Sequence, residues 1–387
     1  MKGTRLRSLL YLDTARLGPM SPSAQRAQLD FVRLAAEVPS SLYFEEFLRD
    51  GYEAWPSSHQ ARFPGLATWT AVRGLKDSLR TLAGAPDNWN VLLTSRSLSL
   101  VRLAARRMFH VCRNVLTTDL SWPSYQQAIE RHVQRYGARV TVFPLRDQIL
   151  YQHWTVSDVV SHLSTAFAAN GCDGLFLPAV DHLGVRLPIR EIVRQIKRRR
   201  ELRFSIIDAA QAFCQVPIAE CFDCADFVVA GSHKWMGAYL PTGIGFVGRR
   251  YRHSQDQSQR SGRNNNQAIT DPLLHFTQQL HTGGLDGHSE TVNVTPLFTC
   301  SAAAADAVVT LQLHAAIPPI EIVQKKIPVS RNWQPRQPHE SLRSRIVLFE
   351  TRCAALRRES TEAIRRLWLE AGLVVTAYPG GRVRVSL

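Results

Sequence analysis

No uninterrupted apolar run in the 387 residues approaches the roughly 20 that a membrane-spanning helix needs. The start, Met1-Lys2-Gly3-Thr4-Arg5, leads only into the short patch Leu9-Leu10-Tyr11-Leu12, not into the hydrophobic stretch of a secretory signal. A cytoplasmic protein without a membrane segment is therefore expected. Cysteine is sparse: the seven are odd in number and scattered, which excludes a dense disulfide framework and points to reduced thiols. One CxxC, Cys221-Phe222-Asp223-Cys224, stands without a second pair, so no metal site is expected. Acidic residues are also few, 32 against 47 Lys and Arg, and the net charge of +15 raises nucleic acid, an anionic surface or an acidic metabolite as partners. No aromatic-interleaved basic motif accompanies that charge. The densest run, Lys197-Arg198-Arg199-Arg200, ends a helical pattern (Ile189, Ile192, Val193, Ile196), where cations suit the negative end of the helix dipole. A solvated helix end is the expectation there.

What is present is an ordinary globular composition, 45% apolar and 20% charged, in a chain long enough for a large α/β domain with a smaller lobe. From about residue 90 to 250, short apolar runs alternate with helical stretches, the pattern of a parallel sheet with crossover helices. The runs are 91–94, 114–117, 140–143, 174–177, 204–207 and 227–230, with helices expected over 98–109 and 125–136. A last run, 243–247, comes too soon for a crossover and is expected to be antiparallel. Residues 251–270 lack apolar periodicity and read as a mobile loop, and 326–342 as a second loop. A long helix is expected from about Leu342 to Gly372, and a hairpin over 373–387. The expected fold is α/β: a mostly parallel mixed sheet sandwiched by helices, with a smaller α+β domain. Residues 1–50 would join the small domain, 51–275 form the major domain and 276–387 the C-terminal small domain.

The chemistry concentrates at two strand ends. Asp208 ends the run Ile206-Ile207-Asp208-Ala209-Ala210-Gln211, and Lys234 lies just past Val228-Val229-Ala230-Gly231-Ser232-His233-Lys234-Trp235. In an open parallel sheet both fall at the carboxyl edge, where ligands bind. An amine able to condense with an aldehyde, beside a carboxylate that keeps a pyridine nitrogen protonated, is what pyridoxal phosphate requires.

These residues, with Pro241-Thr242-Gly243-Ile244-Gly245, resemble the fold-type I pyridoxal-phosphate enzymes of the class V aminotransferase group, which includes cysteine desulfurases, kynureninase and isopenicillin-N-epimerase-like proteins. The resemblance implies that Lys234 is the Schiff-base lysine, Asp208 the partner of the ring nitrogen and Gln211 a donor to the ring hydroxyl. It places the phosphate at the turn Ser95-Arg96-Ser97, helped by Ser232 or His233, and stacks Trp122 over the ring. A helix N-terminus just past a strand suits an anion. Thr291 would reach the phosphate of a neighbouring subunit, implying a homodimer. Arg384 would bind the substrate carboxylate, for which its planar fork is suited.

Departures accompany the resemblance. The family often has Asn where this chain has Val180-Asp181-His182, so Asp181 or His182 is expected to face the cofactor; its serine three before the lysine is Gly231 here; and the sequence given stops at Leu387, short of further family elements. The second loop holds no cysteine and Cys353 falls in the expected helix, which argues against desulfuration by a loop thiolate. The resemblance thus implies an aminotransferase or lyase acting on an amino acid or small amine. The alternative is a pyridoxal-fold protein serving as a basic binding module for nucleic acid or an anionic partner.

Overall fold

The structure, a computed structural model, describes residues 9–38, 44–248, 271–282, 285, 288–314 and 332–386. It opens with a two-residue strand, β1 (Leu10–Tyr11). The main sheet holds seven strands: β2 (Asn90–Thr94), β3 (Asn114–Thr118), β4 (Arg139–Phe143), β5 (Gly174–Pro178), β6 (Phe204–Asp208), β7 (Phe227–Gly231) and β8 (Gly243–Val247). Their order is β2-β8-β7-β6-β5-β3-β4. Only β8 runs against its neighbours, as its short connection requires. β3, β5, β6, β7 and β8 are buried along their whole length, which is why each reads as a continuous apolar run rather than an alternating one.

Helices cover both faces. Ser97–Val111 and Pro123–Tyr136 come after β2 and β3 and enclose a core around Phe109, Phe176 and Phe227. Thr155 opens Val156–Ala169 with a reciprocal capping box to Asp158. The opposite face packs Pro22–Glu37, Ala71–Ala83 and the start of Thr295–His314, with Phe31 stacked on Phe298 at 4.4 Å between ring centres. The basic end of Ile189–Arg199 is exposed, and its neighbours are engaged locally: Arg199 donates to Thr165 and Arg200 to the Cys172 carbonyl.

The second sheet is β9 (Trp333–Arg336), β10 (Ile346–Thr351), β12 (Thr376–Tyr378) and β13 (Arg382–Ser386), ordered β12-β13-β10-β9; β11 (Leu373–Val374) pairs instead with β1. The expected hairpin at 373–387 is there. The expected long helix from Leu342 is not. Its first third is the central strand β10, and only Ala354–Arg358 and Thr361–Glu370 are helical. The four-residue apolar run Ile346-Val347-Leu348-Phe349 has no decisive period, and β10 is buried on both faces, so tertiary pairing decided its form. Cys353 accordingly caps a short helix instead of lying inside a long one. The expected loop at 251–270 lies outside the described residues, and that at 326–342 is partly described, containing β9 and the turn Glu340–Leu342. All seven cysteines are unpaired, six of them buried.

Candidate active site

Parallel strands end on a common edge, and the sheet order aligns the residues just past each strand. The turn after β2 lies at one side, the residues after β7 and β6 in the middle, and those after β5, β3 and β4 at the other side.

Asp208 closes β6 and is 5% exposed. One carboxylate oxygen accepts from the Ala210 N–H at 2.9 Å. Burial raises its pKa to about 6, opposed by that N–H and by the positive charge of Lys234. Lys234 stands three residues past β7. Desolvation lowers its pKa to about 8; Asp208 acts against the shift and Arg384 adds to it. The amine and the carboxylate thus lie within electrostatic reach of one another, each opposing the shift that burial gives the other.

The backbone of Lys234 is clamped by the N-terminal segment. Gly18 donates its N–H to the His233 carbonyl at 2.8 Å. A Cβ on Gly18 would lie 1.8 Å from the Lys234 carbonyl oxygen. Gly18→Ala must therefore push the lysine backbone aside. Its expected cost is about 1–3 kcal/mol of stability, together with weakened retention of any group on Lys234. Thermal melting and retention after dialysis test both; unchanged values would show that the clamp is loose.

The other expected residues divide. His182 comes after β5 beside Trp122, their rings edge to face at 5.3 Å. Trp122 is 43% exposed and is no core residue. Desolvation lowers the His182 pKa to about 3, reinforced by Arg146, Arg384, Lys234 and Arg382, so its ring is neutral. Asp181 is buried, one oxygen accepting from Leu183 and Val185 N–H groups at 2.9 and 2.7 Å; burial raises its pKa to about 6. His233 is desolvated and its pKa is lowered to about 4. At the β2 turn, Arg96 occupies the N-cap of Ser97–Val111 with no side-chain cap; the Ser99 N–H is given to the Arg96 carbonyl at 3.0 Å, which leaves those of Ser97 and Leu98 to suit an external acceptor. Ser97 is hydrogen-bonded to Tyr125, 2.5 Å away, and the Ser95 N–H is already given to Asp271 at 3.0 Å.

Three more of the expected residues have partners within the chain. Gln211 donates one of its two amide N–H groups to the Ala15 carbonyl at 2.8 Å and accepts from the Trp235 indole at 3.0 Å. Ser232 is fully buried and ties the loop after β7 together, donating to the Leu240 carbonyl and accepting from the Thr242 N–H, so of the Ser232/His233 pair only His233 remains for an anion. Arg384 is 3% exposed and its guanidinium is ion-paired with Asp13 at 3.0 Å. Thr291 is exposed at the surface of this chain.

Sequence reasoning missed Tyr125, whose pKa is raised by burial and by Asp208, and Tyr378, whose ring lies 6.1 Å from that of His182. It also missed Arg146, the residue that opens the short helix after β4. No local pattern marks any of these. A pyridoxal-like group fits the assembled edge. Asp181 Oδ2, His182 Nδ1 and His233 Nδ1 are buried polar atoms without a protein partner, and a polar ligand would complete them.

Comparison with known proteins bears on the family and the fold. The family model described as Aminotransferase class-V matches residues 44–271. A probable cysteine desulfurase of Pasteurella multocida (strain Pm70) is 21% identical over 209 residues, 53% of this chain and 47% of that protein, so the match spans about half the relative's length. Among solved structures, a cysteine desulfurase from Thermococcus onnurineus NA1 superposes with a TM-score of 0.66 at 13% identity, covering 98% of this chain and 90% of that one. A C-DES mutant with glycine covalently linked to its PLP cofactor gives 0.65 at 14% identity, over 98% and 92%. At such identities the structural likeness speaks for the fold alone.

Proposed function

Since the chain belongs to the class-V aminotransferase family, we propose that it acts on an amino acid or small amine, as an aminotransferase or a lyase, with Lys234 and Asp208 as its central pair. Its cofactor is pyridoxal phosphate, as family membership entails. The observation that carries the reading is the placement of a desolvated amine and a buried carboxylate at the ends of neighbouring strands on one sheet edge, within electrostatic reach of each other.

When bound, the cofactor supplies an electron sink for the pair left when a bond at the amine-bearing carbon breaks. Lys234 holds it covalently, and its lowered pKa makes the free amine available near neutral pH. Asp208 would hold the ring nitrogen. Its carboxylate form is the one needed to keep a proton there, and it prevails above about pH 6. The turn at Arg96 and Ser97, with His233, receives the phosphate, and Thr291 would come from a second copy in a homodimer. Trp122 and neutral His182, paired edge to face, would cover the cofactor ring and limit water there. The Lys234 amine, when free, would be suited to carry a proton there.

A pH series tests the pairing. Lys234 is protonated below its pKa of about 8, so the rate of covalent cofactor uptake by cofactor-free protein should fall about tenfold per unit as pH drops from 8 toward 6. Below about pH 6, protonation of Asp208 should weaken the complex further. Following the visible absorption band after mixing reads the rate. An uptake rate that stays flat from pH 6 to 9 would rule out a desolvated lysine as the acceptor.

A further inference from the structure

Two glycines bring the β2 turn up to the lysine loop. Gly231 ends β7, Gly243 opens β8, and the two are Cα partners across the antiparallel ladder. A Cβ on Gly243 would lie 2.6 Å from the Ser97 nitrogen, and one on Gly231 would lie 3.4 Å from His233 Nδ1. Directly opposed residues present their Cβ positions to one face of a sheet, so Ser97 and His233 stand over the same face of this pair. Gly231 is three residues before Lys234. The seat for the phosphate is therefore adjacent to the lysine loop.

Tyr125, in the first turn of Pro123–Tyr136, brings its hydroxyl to 2.5 Å from that of Ser97. The two hydroxyls differ in exposure, and that assigns the donor. Tyr125 is 7% exposed, and among the described residues its hydroxyl has no other partner, so its single hydrogen is satisfied only by donation to Ser97. Ser97 is half-buried and keeps its own O–H for the open side of the seat. Burial, with the charge of Asp208, holds the Tyr125 phenol well above its usual pKa, so it remains a donor through the neutral range and sets no second anion beside a phosphate. Ser95 cannot take this part, since its N–H and its hydroxyl both go to Asp271.

We propose that Tyr125 is a positioning residue for the cofactor phosphate: by donating to Ser97 it turns the serine O–H toward the anion. The proposal rests on the pyridoxal-phosphate reading above. A hydroxyl that has accepted one hydrogen bond is the stronger donor of the next. Tyr125 also couples the helix that begins just past Trp122 to the turn after β2.

The test titrates cofactor-free full-length protein with pyridoxal 5′-phosphate and with pyridoxal, which share the ring and aldehyde and differ in the phosphate. The concentration giving the half-maximal visible band is read for each. Tyr125→Phe should raise it about fivefold for the phosphorylated probe and leave pyridoxal within about twofold. Ser97→Ala should raise the phosphorylated value about tenfold or more, and the double variant should match Ser97→Ala within about twofold, because the tyrosine acts through the serine. Equal shifts for the two probes, no shift for the phosphorylated one, or a double variant whose loss is the product of the single losses would overturn the assignment. Should Tyr125→Phe fail to fold, Ser97→Thr decides: with its hydroxyl kept it should bind the phosphorylated probe like the wild type, and a loss equal to that of Ser97→Ala would overturn the assignment. A wild-type protein that forms no band with pyridoxal 5′-phosphate would instead sink the underlying reading.

Discussion

Lys234→Ala should abolish covalent retention of the cofactor: the visible band should vanish on dialysis, while the folded protein remains. Turnover should fall at least about 100-fold, since the amine is both the anchor and the proton carrier. The substitution removes a lysine whose ammonium is destabilised by desolvation, so the fold itself should not suffer. A variant that loses the band but melts like the wild type would separate chemistry from stability. Retention of a covalent band after this substitution would mean that another amine carries the group.

Asp13→Ala should be the most destabilising single change outside the sheet cores. It would leave Arg384 charged, 3% exposed and without its counter-ion. Removing one partner of a buried ion pair costs about 3–5 kcal/mol, because the remaining charge is uncompensated. The consequence is regional. Asp13 lies beside β1, which pairs with β11, and bridges to Ser386 at the end of β13. The N-terminal segment that also presents Gly18 to Lys234 depends on that junction. Denaturation by urea, monitored by fluorescence, should show the loss, and Asp13→Asn, which keeps an acceptor for Thr376, should recover part of it. A change below about 1 kcal/mol would mean that the pair is open to water.

Much of the major sheet was legible in the sequence, because its central strands are buried on both faces and advertise themselves as apolar runs. The antiparallel turn of β8 was legible from connection length alone. Asp208 and Lys234 could be found because each stands immediately after such a run, where topology fixes a common edge. The small sheet was harder. Ile346–Thr351 comes after a proline-rich stretch and precedes true helices, and its strand form depends on β13 and β9 pairing on either side. The helix Pro22–Glu37, though capped by Ser21, carries no catalytic residue and passed unnoticed. Long-range partners were invisible in principle. Arg384 and Asp13 are 371 residues apart, and nothing near either predicts the other. The same holds for Gln211, whose amide meets the backbone of Ala15, 196 residues away. Arg146 belongs to no recognisable motif, and only the sheet order shows that the end of β4 shares an edge with β6 and β7.

The central claim is that Lys234, beside Asp208, carries the cofactor. Borohydride reduction of the protein purified with pyridoxal phosphate, then proteolysis and mass mapping, tests it most directly. The reduced phosphopyridoxyl mass should fall on the peptide containing His233-Lys234-Trp235 and on no other lysine. Its appearance on a different lysine, or on none, would contradict the account.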